Sequence, residues 1–402
     1  MSIIVQKFGG SSVADTERLG KVCKHIIKEY DEGNKVVVIV SAQGKTTDKL
    51  IEESLEITDN PSKREMDVLT SIGEQITIAK LCMYLEKLGY KAVSMTGWQI
   101  PILTTDTHGD AKIKGINHDR IKQALDNKYI VVIAGFQGID ENGNITTLGR
   151  GGSDTSAVAI AASLGAQKCE IYTDVDGIFS ADPRNFEDAQ KIEVISYGEM
   201  LELASLGAKV LHNRCVEIGM KYNIPIVVKS TFEEDSIGTL VDDTINMEQQ
   251  YINGVAKDDN VARIIILGIE DKIGKTYEVF KLLSTSKINV DVIAQSIRED
   301  FQKDLSFTIN VTDLEKARQL LENDKDKFGA KDIFYYENLS KISIVGLSMV
   351  NDTGIAERIF EALYENNINM YMISTSEIKI SILVDKSLAD LAVKAIHDKF
   401  FE

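Results

Sequence analysis

The sequence predicts an α/β chain: a mainly parallel sheet in an α/β/α sandwich over residues 1–243, then two ferredoxin-like βαββαβ units over 258–337 and 338–402. Three observations predict it. Short β-branched runs alternate with helical stretches through the first 240 or so residues. A polar stretch, DDTINMEQQ (242–250), then breaks the pattern. Beyond it, one strand-and-helix pattern occurs twice at a spacing of 80 residues.

The strands of the first part are read at IIVQKF (3–8), VVVIV (36–40), KAVSM (91–95), IVVIAGF (130–136), EIYTDV (170–175) and IPIVVK (224–229). Continuous apolar runs, rather than alternating ones, suit strands covered by helices on both faces of a parallel sheet. In the second part, IIILGIEDKIGKTYEVFKLLSTSKINVDVIAQS (264–296) matches ISIVGLSMVNDTGIAERIFEALYENNINMYMISTS (342–376) at Gly274/Gly354, Phe280/Phe360, Leu283/Leu363, Ile288/Ile368, Asn289/Asn369 and Ser296/Ser376. Landmarks conserved at one spacing mark an internal repeat. Each copy reads strand, turn, helix, strand, strand, helix, and the first closes with KDIFYY (331–336). The second copy lacks that last strand. Residues 244–257 are therefore read as a linker whose strand-like end, YINGVA (251–256), crosses over to complete the second unit.

Composition excludes some functions. With 62 acidic against 45 basic residues the net charge is −17, which repels polyphosphate backbones and anionic lipid, so neither nucleic acid nor membrane is expected as a partner. Cys23, Cys82, Cys169 and Cys215 are widely separated and lack zinc-finger spacing, as expected of reduced thiols. The opening MSIIVQKFGG enters a strand at once, without a basic segment followed by a long apolar one, and a cytoplasmic location is expected.

A nucleotide site must be built without a P-loop. G-K-T occurs at 44–46 and 274–276, but the leading glycine of such a loop would fall at Ile39 and Ile269. Three segments can handle anions instead. Lys7-Phe8-Gly9-Gly10-Ser11-Ser12 joins the first strand to a helix, offering a cation and open backbone amides; it reads equally as a plain strand-turn-helix. Leu148-Gly149-Arg150-Gly151-Gly152-Ser153-Asp154 sets a guanidinium beside glycine amides at a helix start, with Asp154 available to position Lys7 or a cation. The run from Thr173 and Asp174 through Phe179 to Arg184 follows a strand, where open α/β sheets hold ligands; taken singly it is also an ordinary acidic loop.

Ser41 to Thr47, after the second strand, and Ser71 to Glu74 suit an amino acid: hydroxyls and amides for a carboxylate, Glu74 for an ammonium. Alone, the latter is also a helix surface. None of the five histidines has metal-ligand spacing, and none is given a catalytic role.

Taken in order, KFGGSSV (7–13), SAQGKTTD (41–48), SIGEQ (71–75), TLGRGGSDTSA (147–157), TDVDGIFSADPR (173–184) and GAKVLH (207–212) resemble the motif series of the aspartate kinases, within the amino acid kinase superfamily, and the repeats resemble their paired ACT domains. The resemblance implies an amino acid kinase fold and ATP-dependent phosphorylation of the side-chain carboxylate of L-aspartate, the first step toward lysine, threonine and methionine. It implies ATP and Mg²⁺ as cofactors, with Lys7, Gly9, Gly10 and Ser11 at the phosphates and Asp154 orienting Lys7. Thr173, Asp174, Phe179, Arg184 and Lys209 would hold the nucleotide, and Ser41, Thr47, Glu74 and Arg150 the aspartate. Lys7, Arg150 and Asp154 are then the catalytic set, and no residue is assigned as a metal ligand. Phe179 stands where relatives often carry Tyr, which puts that hydroxyl's hydrogen bond in doubt.

For the repeats the resemblance implies a homodimer or higher oligomer and feedback by lysine or threonine. Asp271, Asn289, Gln295, Asp352, Asn369 and Ser374 are the expected pocket walls. The alternatives are a kinase of another amino acid such as glutamate, and a catalytically silent sensing subunit. Met247 is a candidate start for a separate regulatory polypeptide, and the length leaves no room for a fused dehydrogenase.

Overall fold

A computed structural model describes residues 2–205, 210–243, 252–298, 302–346 and 354–401. Lys209, Met247 and Asp352, all named above, lie outside the described residues. The chain divides into two compact units, residues 1–180 with 189–249, and residues 181–188 with 250–402.

In the first unit eight strands form one sheet, in the order Val194–Ile195, Thr239–Val241, Ile226–Ser230, Lys168–Thr173, Ile3–Phe8, Lys35–Val40, Ile130–Ala134 and Ala92–Met95. Neighbours are parallel except Ile226–Ser230 against Thr239–Val241. The β-branched runs predict this because both of their faces are covered. Val36, Val38, Val40, Val132 and Ala134 pack with Leu19, Val22 and Ile26 of the helix Thr16–Asp31 and with Ile78, Leu81 and Leu85 of the helix Ile72–Lys87. The intervening Val37, Ile39, Val131 and Ile133 are equally buried. The helix Gly152–Leu164 runs along the strand Ile3–Phe8, and its Ala157, Ala159 and Ala161 permit the close approach.

Most strand boundaries of this sheet shift by one or two residues from the reading of the sequence, and two of the shifts have a visible cause. The strand expected at 170–175 is Lys168–Thr173, because Lys168 turns its ammonium inward: Lys168 Nζ lies 2.7 Å and Lys229 Nζ 2.8 Å from Oε1 of the wholly buried Glu170. Burial alone would raise that carboxyl, but the ammoniums of Lys229 and Lys168 outweigh it and hold the group at about 2. The strand expected at 130–136 stops at Ala134, and Phe136 sits at φ 70°, a strained value for a bulky residue. A second sheet of four strands, Ile113–Ile116, Ile102–Thr104, Gln137–Ile139 and Ile145–Thr147 in spatial order, was not expected at all. Strands of three or four residues carry too little periodicity to be read.

The second unit holds one six-stranded sheet in the order Val290–Ile297, Gln302–Asn310, Gly254–Glu270, Asp332–Val345, Lys379–Asp385 and Met372–Thr375. The helices Lys275–Thr285 and Leu314–Asn323 belong to the first repeat, Gly354–Glu365 and Ala389–Phe401 to the second. Its two central strands are 17 and 14 residues long and serve both repeats. Val261 to Leu267 pairs with Asp332 to Leu339, while Gly254 to Asp258 pairs with Lys341 to Val345.

Candidate active site

The first strand ends at Phe8 and the second at Val40, both deep in the sheet, so the turns that follow open at its carboxyl edge. There Lys7, Gly9, Gly10, Ser41, Thr47, Glu74, Arg150 and Asp154 line one cavity of about 630 Å³. Two segments some 140 residues apart in the chain, the tip of the first strand and the Arg150 turn, thus face the same space.

Lys7 is nearly buried at the strand end, and its Nζ lies 2.5 Å from Asp154 Oδ1. The contact is a charge pair off the directional geometry of a hydrogen bond. Such a pairing holds an ammonium at one point of the cavity rim while leaving N–H groups to turn toward an anion. The backbone beyond it is tightly placed. Gly9 N–H donates to Tyr172 O at 3.3 Å and Gly44 N–H to Gly10 O at 3.0 Å. A side chain at position 10 would meet Ala42 O at 2.8 Å, which explains the glycine.

Across the cavity, the helix Gly152–Leu164 begins with its end aimed at the same space, and Gly151, Gly152 and Ser153 line it. Its N-cap is Gly151, at φ 67°, and a Cβ there would fall 2.3 Å from the His212 ring. With no side chain capping the helix, its free amides and positive dipole end face the ligand space. Arg150 is exposed beside them, and no described residue pairs with it.

Two buried carboxylates share the cavity wall and differ in state. Glu74, 3% exposed on the helix Ile72–Lys87, accepts from Ala42 N–H at 3.1 Å through Oε1, while its Oε2 has no partner among the described residues. Burial pushes its pKa up to about 7. Asp67, 1% exposed on the helix Lys63–Thr70, is fully engaged. Its Oδ1 accepts from Gly109 N–H (3.0 Å) and Thr147 Oγ1 (2.5 Å), and its Oδ2 from His108 Nδ1 (2.7 Å) and Gly109 N–H (3.2 Å). From the other side Arg214 donates to Leu148 O at 2.5 Å and Ala111 O at 2.8 Å. Asp67, His108, Thr147, Phe136 and Arg214 were not read from the sequence. Each joins segments tens of residues apart, and no local spacing announces it.

The remaining expected site residues lie outside this cavity. Ser11 is exposed, and its carbonyl accepts from Arg18 at 2.6 Å. Thr173 ends the strand beside the first one; its hydroxyl donates to the exposed Asp174 at 3.0 Å, and its carbonyl accepts from Thr231 N–H at 2.9 Å. The Thr231 hydroxyl meets Ser12 Oγ at 2.6 Å, tying the two strand tips together. Phe179 is half-buried on a two-stranded ribbon with Lys191 and Ile192. Arg184 is exposed and grips Asp182 in a fork, Nε–Oδ1 3.0 Å and Nη2–Oδ2 2.9 Å.

In the second unit, Asp271, Asn289, Gln295 and Asn369 are exposed and Ser374 is half-buried. Asp271 pairs with Lys303 at 2.5 Å, and Gln295 accepts from Thr276 Oγ1 at 3.1 Å. Gln295 and Ser374 lie on the two outermost strands of the sheet.

Among the described residues no three carboxylates, imidazoles or thiols converge as a metal site, and no helix is long and apolar enough to cross a membrane. All four cysteines are free and buried.

Comparison with known proteins places this geometry. Residues 2–230 match the amino acid kinase family and residues 342–400 an ACT domain. The aspartokinase of Geobacillus stearothermophilus is 48% identical over 401 residues, covering 100% of this chain and 97% of its own. The aspartate kinase of Pseudomonas putida is 45% identical over 402 residues, covering 100% and 98%. The crystal structure of E. coli aspartokinase III in complex with aspartate and ADP superposes with a TM-score of 0.84 at 25% identity, with full coverage of both chains.

Proposed function

The chain belongs to the aspartate kinases of the amino acid kinase family, and from that premise we propose that it transfers the terminal phosphoryl of ATP to the side-chain carboxylate of L-aspartate, giving 4-phospho-L-aspartate. One observation carries the reading: the Lys7–Asp154 pair, Gly9 and Gly10, Arg150, and Glu74 with its unpartnered Oε2 line one cavity.

A carboxylate is already a nucleophile at neutral pH, so no group need remove a proton from it. The barrier lies in bringing two anions together and in the charge that spreads over the transferring phosphoryl. Lys7, fixed by Asp154, and the amide of Gly10 in the Gly9–Gly10 turn stabilise that charge from one side, and the helix end at Gly151 to Asp154 from the other. Arg150 takes a substrate carboxylate, and Glu74 takes the α-ammonium through its unpartnered oxygen, with Ser41 and Thr47 completing the polar wall. Thr173, Asp174, Phe179, Arg184 and Lys209 serve the nucleotide, with Ser11 beside the phosphates. Magnesium bound with the triphosphate would add positive charge at the phosphates beside Lys7, and no residue is assigned as its ligand.

Residues 1–243 act as the catalytic domain, 244–257 as the connecting segment, and 258–337 with 338–402 as paired ACT domains of a cytoplasmic homodimer or higher oligomer. Lysine or threonine, bound at walls that include Asp271, Asn289, Gln295, Asp352, Asn369 and Ser374, favours a less active arrangement and so limits flux toward lysine, threonine and methionine.

Trapping the acyl phosphate as a hydroxamate tests the reaction. ATP with L-aspartate should give hydroxamate, and ATP with L-glutamate almost none. Equal yields from both would point to another amino acid kinase, and no yield from either would point to a silent sensing subunit.

A further inference from the structure

The contrast between the two buried carboxylates points to a role for Asp67. Glu74, which lines the cavity, keeps one buried oxygen without a partner among the described residues, as a ligand group must. Asp67 has none to spare: both of its oxygens are occupied by His108, Gly109 and Thr147. A third buried carboxylate beside a substrate that itself carries two would repel it, unless its charge were spent on internal donors.

The donors share one property. Thr147 ends the short strand that leads directly into Leu148-Gly149-Arg150, and Gly109 O lies only 2.9 Å from where a Cβ on Gly149 would be. His108 sits on the same loop as Gly109. Asp67 therefore fastens the segment before Arg150 and the loop beneath it to the helix Lys63–Thr70. Arg214, bonded to Leu148 O and Ala111 O, holds the same two segments from the opposite side.

We infer that Asp67 is a positioning residue for substrate binding: through Thr147 and the His108–Gly109 loop it fixes the Arg150 turn where a substrate carboxylate meets the guanidinium. The inference rests on the reading of Arg150 as the carboxylate ligand. Among the described residues no side chain pairs with Arg150, and what they hold in place is its backbone. Displacement of a binding group by about 1 Å is enough to cost on the order of 10²-fold.

Steady-state kinetics of single variants and of one double variant test it. D67N, which replaces an acceptor oxygen by an NH₂ facing the donors, should raise KM for aspartate about tenfold or more and leave KM for ATP within about twofold. H108A removes one donor from a partly exposed loop, so the fold survives, and should raise KM for aspartate by a smaller factor in the same selective way. T147V removes the hydroxyl that meets Asp67 and should raise KM for aspartate in the same selective way, and T147S, which restores the hydroxyl, should recover most of that loss. R150A should lose aspartate binding, and adding D67N to R150A should cost nothing more, because the first change acts through the second. An R150A variant with unaltered KM for aspartate would sink the reading of the site itself. If R150A loses aspartate binding while D67N and H108A raise both KM values alike, or the effects of D67N and R150A add in full, the inference about Asp67 falls and the reading of Arg150 stands.

Discussion

The two compact units solve opposite problems with a sheet. In the first, the central strands are buried on both faces, Val36 to Val40 without exception, and the charged groups of the cavity, Arg150 apart, are carried by side chains that are themselves packed or bonded. In the second, the outermost strand Val290–Ile297 is largely open, with Ile293 53% and Ile297 65% exposed, and most of the residues expected to meet an effector are exposed. A preorganised cavity suits chemistry that depends on fixed charges; an open, uncommitted edge suits binding that must change with conditions.

The difference can be broken or sharpened by experiment. The largest effect is expected at Lys7: Lys7→Ala should lower kcat on the order of 10²- to 10³-fold with little change in KM for aspartate, as read by initial rates. Near-normal turnover would mean the cavity is less preorganised than its geometry implies. Next comes Glu74, whose carboxyl is raised by burial from 4.5 to about 7. The sign follows from proton counting. Between pH 4.5 and 7 the unfolded chain releases this proton while the folded one keeps it, so rising pH should erode folded stability by up to about 3 kcal/mol, then level off. E74Q should abolish that slope and melt higher than the unaltered chain at pH 8, though not at pH 4.5. In the unaltered enzyme KM for aspartate should fall from pH 6 to 8 as the carboxylate forms. Melting curves and kinetics across that range check both. The smallest effect on folding is expected in the second unit. Ile293→Lys should change stability by no more than about 0.5 kcal/mol when monomeric, yet reduce association if a second copy covers this edge. Chromatographic mass and thermal melts separate the two.

Much of the first unit was legible. Lys7, Arg150 and Asp154 stand in short motifs whose glycines and strand ends predict an anion site, Glu74 in one that suits an ammonium, and the structure puts all four around one cavity. What escaped was the framework that holds them. Asp67 and Thr147 lie 80 residues apart, and an acid in an amphipathic helix looks like solvent-facing surface until its donors arrive from a sheet of three-residue strands. Phe136 escaped for a similar reason: β-branched character continues up to it, but the cavity needs the chain to turn there. The repeats were legible from matched landmarks, whereas the fusion of their strands into two long ones was not. Polar residues such as Lys257 to Asn260 read as a break in a strand that in fact continues through them.

Those two long strands have a mechanical consequence. Since Gly254–Glu270 and Asp332–Val345 are each a shared spar, neither repeat can shear, tilt or melt without dragging the other's backbone ladder with it. A truncation at the boundary between the repeats would leave a frayed edge on both fragments rather than release one intact lobe. The two repeats should therefore melt in one transition.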